Sequence, residues 1–212
     1  QGFILGGDGH DSIKISAQFG GGTLNGGAGA DTITLSTYAR SGVAGGNLQG
    51  GAGADVLSVS AVGSGAGAGS ATFAYDSFSD STLASMDTLT FSTAAISAGL
   101  GSFDSSQILV NIGMGLGTGV TGAGAVGQVS ASGGFVVWSG YSDNSLTARV
   151  SAIDAGYTTT GDYAVFTTDG TTRYLFVQGG TNDIVARLSD DDQLSAGLGS
   201  IIRSGKTIGF SS

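Results

Sequence analysis

The chain has 212 residues, a formal net charge of −9, 41 Gly, and neither Pro nor Cys; that length suffices for one large or two small domains with a real hydrophobic core. All 16 acidic residues are Asp, and the seven basic ones, Lys and Arg together, form no stripe of the kind that nucleic acid or an anionic membrane surface requires. Without Cys there is no disulfide framework to indicate a compartment, and no apolar run approaches the roughly 20 residues that span a bilayer.

Three stretches open the chain with one pattern: Gly6 to Lys14, Gly26 to Thr34 and Gly50 to Ser58 all follow G-G-x-G-x-D-x-U-x, with U a large aliphatic residue. Glycines at the first, second and fourth places admit positive φ, so the chain can turn with its carbonyl oxygens inward, and the aspartate adds a charged oxygen. After each turn a strand is expected, polar and aliphatic residues alternating in Asp11-Ser12-Ile13-Lys14-Ile15, Asp31-Thr32-Ile33-Thr34-Leu35 and Asp55-Val56-Leu57-Ser58-Val59. A fourth row, Asp87-Thr88-Leu89-Thr90-Phe91, has lost its glycines. Ile4-Leu5, Leu24 and Leu48, and later Phe73 and Tyr75, are placed to form strands on the opposite wall. Successive aspartates lie 20, 24 and 32 residues apart, so the excess leaves as loops, Gly63 to Ser70 being one.

The nonapeptide resembles the signature of the repeats-in-toxin (RTX) proteins. That resemblance implies a parallel β-helix, an RTX-type β-solenoid whose coils of about 18 residues stack at about 4.8 Å. An ion midway between two stacked carboxylates would then sit about 2.4 Å from each, the Ca²⁺ distance and too long for Mg²⁺. Calcium is therefore expected between the Asp11 and Asp31 turns and between the Asp31 and Asp55 turns. Carbonyls from Gly7, Gly9, Gly26, Gly27, Ala28, Gly29, Gly50 and Ala52 would complete six or more oxygens. Asp87 is the candidate for a third ion, less favoured because Leu83-Ala84-Ser85-Met86 lacks glycines, with Asp76 or Asp80 as substitutes.

Past residue 92 the pattern changes, and residues 93 to 212 are expected to form a β-rich domain with one short helix. Gln107 to Ile112 and Phe135 to Trp138 read as strands, flanking a Gly-rich segment over 113 to 124. Gly117-Thr118-Gly119-Val120-Thr121-Gly122 matches the dinucleotide-binding G-x-G-x-x-G in form alone, because no helix pattern follows and no Lys is near. Asp143-Asn144-Ser145 caps a helix carrying Leu146, Val150 and Ile153, with Gly156 as its stop. A hairpin follows, Tyr163 to Thr167 and Arg173 to Gln178 about Asp169-Gly170, then a third strand over Ile184 to Leu188. Asp190 to Asp192 begins an amphipathic segment through Leu198 and Ile202, and Lys206 to Phe210 forms a closing strand. This tail is similar in pattern to the C-terminal regions of calcium-dependent S-layer and other type I secreted proteins. By that resemblance Thr207 to Ser212 would suit an uncleaved export signal. Gln1-Gly2-Phe3, with no initiator Met or signal sequence, is what a fragment or processed product presents.

No catalytic constellation emerges: there is one His, no Glu and no G-x-S-x-G, and His10 occupies a variable position of the first turn where its side chain faces solvent. The function expected is structural, a calcium-dependent, self-assembling extracellular protein of a bacterial surface layer or secreted filament. Two alternatives stand beside it. One is the C-terminal export and folding module of a larger secreted enzyme; the other is an adhesin binding cell-surface polysaccharide through Trp138, Tyr141 and Tyr157. The partners implied are further copies of the chain and surface glycan, without nucleic acid or membrane insertion.

Overall fold

Alternating residues give each strand one apolar face, and in the computed structural model of the chain these faces close on each other. The structure describes residues 2–16, 19, 21–36, 46–59, 71–91, 108–112, 129–132, 135–138, 143–190, 200–204 and 207–211. They are mainly β with one helix.

From the N-terminus, successive strands alternate between two sheets. In the first, β1 (Gly2–Asp8), β3 (Gly22–Ala28), β5 (Gly46–Ala52), β7 (Ala71–Tyr75) and β9 (Ile108–Ile112) run parallel, side by side. In the second, β2 (Ser12–Ile15), β4 (Thr32–Leu35), β6 (Val56–Val59) and β8 (Asp87–Phe91) do the same. The register repeats the sequence pattern: Ile4 lies beside Leu24, Leu48 and Phe73, and Ile13 beside Ile33, Leu57 and Leu89. Leu24, Leu48 and Phe73 of one sheet meet Ile33, Leu57 and Leu89 of the other in one fully buried cluster. Each such side chain contributes roughly 1.5–3 kcal/mol of burial, which makes this cluster the main force holding the sheets together. The first two motif glycines lie inside the strands of the first sheet, which end one residue later at Asp8, Ala28 and Ala52, so the turn itself is left to residues such as Gly29, Ala30 and Asp31.

The same sheets continue past residue 92. β14 (Ile184–Asp190) lies parallel to β8 with Leu188 beside Leu89. β13 (Arg173–Val177), β12 (Tyr163–Thr167), β11 (Phe135–Trp138) and β10 (Val129–Ser132) complete nine strands. β16 (Thr207–Ser211) and β15 (Ser200–Ser204) extend the first sheet to seven. Tyr163, Val165, Leu175, Val177, Ile184 and Ala186 join the cluster that holds Leu24 and Leu57, so strands on both sides of residue 92 share one core.

The hairpin has the expected strands, and Gly170 takes a positive φ of 85° while the Asp169 carboxylate accepts the Thr171 and Thr172 N–H groups at 2.8 and 2.7 Å. Helix α1 (Leu146–Gly156) is capped by Ser145, whose Oγ accepts the Ala148 N–H at 3.3 Å. Its Val150 and Ile153 cover the outer face of β12 to β14, against Phe166, Phe176 and Val185. The helix ends at Gly156 as expected, though without a positive φ there; the cap residue is Tyr157, extended at φ −113°, whose N–H still reaches the Ile153 carbonyl. Ile202, expected in an amphipathic segment, instead lies in β15, where pairing with Gly209 of β16 holds it in a strand. Gly63 to Ser70, the Gly-rich segment over 113 to 124, and Tyr141 lie outside the described residues. No described helix is long and apolar enough to cross a membrane.

Candidate metal centre

Each glycine motif sets its aspartate just before a strand of the second sheet, and the parallel register stacks these residues. The Thr32, Val56 and Thr88 N–H groups donate to the carbonyls of Asp11, Asp31 and Asp55 at 2.8, 2.9 and 2.7 Å. The side chains add a second ladder. The Asp11 N–H donates to Oδ1 of Asp31 at 2.8 Å, the Asp31 N–H to Oδ1 of Asp55 at 2.8 Å, and the Asp55 N–H to Oδ1 of Asp87 at 2.9 Å. Ser81 ends it: its Oγ accepts the Asp87 N–H at 2.9 Å, and its hydroxyl donates to the Val185 carbonyl of β14 at 2.7 Å. Oδ2 of Asp11, Asp31, Asp55 and Asp87 is buried at every rung without a hydrogen-bond partner.

The glycines serve this column in two ways. A Cβ on Gly26 or Gly50 would lie 2.2 or 2.1 Å from Oδ2 of the same motif's aspartate, and one on Gly6 would lie 2.7 Å from Oδ2 of Asp11, so the first glycine makes room for the carboxylate. Gly29 and Gly53 have φ of 129° and 151°, and a Cβ on either would meet the carbonyl oxygen of Gly9 or Gly29 at 1.8 Å. The carbonyls of Gly7 and Gly27 likewise face the α-carbons of Gly27 and Gly51 in the next turn. Those of Ala28 and Ala52 accept the Gly9 and Gly29 N–H groups at 2.7 and 2.8 Å. Turn carbonyls therefore run along the stack, between one turn and the next.

Burial dominates the electrostatics. It raises the Asp55 carboxyl above the usual range against the Asp31 backbone hydrogen bond, with the Asp31 and Asp80 charges adding to the rise. It pushes Asp87 up to about 8, the Asp55 N–H opposing and the Asp55 charge reinforcing it. Tyr75, fully buried near Asp87 and Ser81 without a well-formed hydrogen bond to either, is held well above its ordinary value, first by burial.

The donor chemistry fits a hard divalent cation: buried carboxylate oxygens without partners, at successive rungs, beside turn carbonyls. The carboxylates do not make a site alone, since no three acidic or His side chains converge on one point among the described residues. Neither the protein-family models nor the curated proteins include a match to this chain.

Of the substitutes, Asp80 uses Oδ2 to accept the Asp76 and Ser77 N–H groups at 3.1 and 2.9 Å, and Asp76 accepts the Gln49 amide at 2.7 Å. Both organise a loop. His10 is exposed, with the Ala30 N–H within 3.0 Å of its Nδ1. Tyr157 is buried under α1 against Phe176, with ring centroids 6.5 Å apart, and offers no stacking platform. Ser81 went unnoticed in the sequence because it is one serine among many and reaches the ladder from a loop. The Asp-to-amide ladder was legible in principle, since aligned aspartates at strand entries place each carboxylate beside its neighbour's N–H.

Proposed function

We propose that the chain is an RTX-type β-solenoid that uses calcium to complete its folding, and that it serves as a structural, self-assembling subunit of an extracellular surface layer or filament rather than as an enzyme. The observation that carries the reading is the buried column of in-register aspartates, each with one carboxylate oxygen left without a partner. A buried carboxylate that is neither protonated nor paired is costly, so such a column asks for protons or for a cation. Oδ2 of Asp11, Asp31 and Asp55, with carbonyls of the Gly7-Gly9 and Gly27-Gly29 turns, would hold calcium; Asp87 would hold it less readily, lacking the glycine turn. Calcium supplies positive charge to the column when bound. The chain's own part is to align the carboxylates, exclude water and let glycine backbones approach closely.

Because an unfolded chain has no preformed site, ion binding would become folding free energy, about 2.7 kcal/mol at a hundredfold excess of ion over its dissociation constant. Extracellular calcium near 1 mM would hold the stack formed, and the low cytosolic level would leave the chain open for export. The test is circular dichroism and electron microscopy of the full chain with calcium, magnesium or chelator. Calcium should raise β content and give ordered sheets or filaments, magnesium should not, and a chelator should reverse both. A spectrum indifferent to all three overturns the reading.

A further inference from the structure

At the end of β12 and β13 away from the Asp169-Gly170 turn, the chain gathers oxygens that lack donors. Thr159 to Asp162 form a tight turn, closed by the Asp162 N–H on the Thr159 carbonyl at 3.0 Å, with Gly161 at a φ of 90°. The Gly161 N–H donates to the Gln178 carbonyl and the Gln178 N–H to the Asp162 carbonyl, both at 2.7 Å, so two residues of one strand face one of the other. This is a β-bulge on glycine, a device that re-aims the side chains beside it. Alternation puts Gln178 and Asp162 on the outer face, in line with Phe176 and Ala164, which α1 covers. One step beyond Val177 and Ile184, Asp183 stands on the other side of Gln178, its Oδ1 accepting the Gly179 N–H at 2.9 Å.

α1 closes this region from above. Tyr157 follows its last turn and packs on Phe176, and the charge of Asp154, in that turn, adds to the rise that burial gives the Asp183 carboxyl. Tyr157 Oη and Gln178 Oε1 are both buried without a hydrogen-bond partner, in residues only 2% and 6% exposed. Burial, with the Asp162 charge adding to it, pushes the Tyr157 hydroxyl up to about 12.

A helix C-terminus carries partial negative charge, presents carbonyls without intrahelical donors, and ordinarily draws Lys, Arg or His. The last turn of α1 has no basic residue and contains Asp154. Carboxylates and Gln178 Oε1 can only accept, and one phenol hydroxyl cannot serve them all. Such a set asks for a cation. Because both orphan oxygens are sealed from solvent, an ammonium or guanidinium of another molecule cannot reach them, whereas a bare calcium ion sits about 2.3–2.6 Å from its oxygens. Ca²⁺ takes a mixed set of carboxylate, amide and main-chain oxygens, where Mg²⁺ demands a near-ideal octahedron. The mixture is needed here, since no three acidic side chains converge among the described residues.

We propose that the C-terminal end of α1 is a calcium site separate from the aspartate column, with Gln178 Oε1, Tyr157 Oη and the Asp162 carboxylate as its side-chain ligands and Asp154 and Asp183 adding negative field. The site shares no residue with the column and does not depend on it.

The test is calcium binding by isothermal titration calorimetry, with thermal melts, on the full chain. Gln178→Met removes the orphan oxygen and keeps the volume, and it should lose one bound calcium. Asp162→Asn, at a partly exposed position, should weaken the same ion by about tenfold or more, since ligand charge sets calcium affinity. Without metal, Gln178→Met should melt at or above the wild-type temperature, because a buried unpaired oxygen is gone; in calcium it should melt below. Equal changes with and without calcium, or a calcium count and affinity unchanged in both variants, overturn the site. Where Gln178→Met does not fold, Asp162→Asn decides alone. Asp31→Ala separates this site from the column: calcium lost in that variant only overturns the site and leaves the column, and calcium lost in the other two only supports the site and removes the column. Wild type that binds no calcium overturns both.

Discussion

The rungs built on glycine motifs and the rung over residues 71–91 carry the same strands in the same register and solve the turn differently. In the first three, the leading glycine fits against the aspartate carboxylate, and in the second and third the later glycines also fit against carbonyls of the preceding turn, with no room for a side chain. In the fourth, Asp87 keeps its place in the ladder, but β7 brings Tyr75, and the loop after it Asp80 and Ser81, around it in place of stacked glycines. The consequence is electrostatic: Asp87 is pushed up to about 8, first by burial, with the neighbouring Asp55 and Asp80 charges adding to the rise. The hydrogen-bonded ladder thus ends at Asp87 and Ser81 and not in a further glycine turn.

The largest effect that would break this contrast is Gly29→Ala, which combines a φ of 129° with a Cβ 1.8 Å from the Gly9 carbonyl oxygen. Urea unfolding should show a loss of about 3 kcal/mol or more. Gly170→Ala, at φ 85° with open space around it, should cost only about 1–2 kcal/mol. Next, Leu57→Ala in the fully buried core should cost about 2–5 kcal/mol, and Ile13→Ala distinctly less, because Ile13 is only partly buried. Equal losses would mean that Ile13 is covered in solution.

Acid and calcium sharpen the comparison further. The folded-state carboxyls of Asp87 and Asp55 sit above their unfolded value of 3.8, so the folded chain binds more protons. Their stabilising contribution is complete below about pH 4 and is lost as pH rises through the folded values, toward about 8 for Asp87. Metal-free protein should therefore lose stability between pH 4 and pH 8 through these groups, and calcium should flatten the decline. In Asp87→Asn the metal-free slope should be visibly shallower in thermal melts across that range.

Ser81→Ala strands the Asp87 N–H and a carbonyl of β14, at a cost of about 1–2 kcal/mol by denaturant titration, and the loss should be independent of calcium. Smallest is the difference between Asp31→Ala and Asp11→Ala. Asp31 accepts the Asp11 N–H, whereas no described amide donates to Asp11 Oδ1, so in metal-free protein the inner substitution should cost about 1 kcal/mol more. In calcium titrations the Asp31→Ala midpoint should move further than that of Asp11→Ala, and equal midpoints would break the shared-ligand arrangement.

Periodicity by itself determined the strands of the stack and their facing. Ile33 and Leu57 are inward because aliphatic residues recur at every second place after glycine turns, and Leu24 and Leu48 because each is the lone large aliphatic residue of the strand that leads into a turn, and that information is local. The hairpin about Asp169-Gly170 and the Ser145 cap were legible for the same reason. Only the tertiary structure decided where the chain past residue 92 would go. Nothing local says that Leu188 lies beside Leu89, or that Ile202 pairs in a strand, because β pairing between distant segments depends on which edges remain open once the first rungs have formed. The aspartate column divides the same way: its spacing is written in the repeat, while the Oδ1-to-amide ladder, the Ser81 terminus and the sealed surroundings of Asp87 come from groups brought together across 20 to 104 residues of chain. Burial and hydrogen bonding are properties of that assembled environment, and they set how each carboxylate behaves.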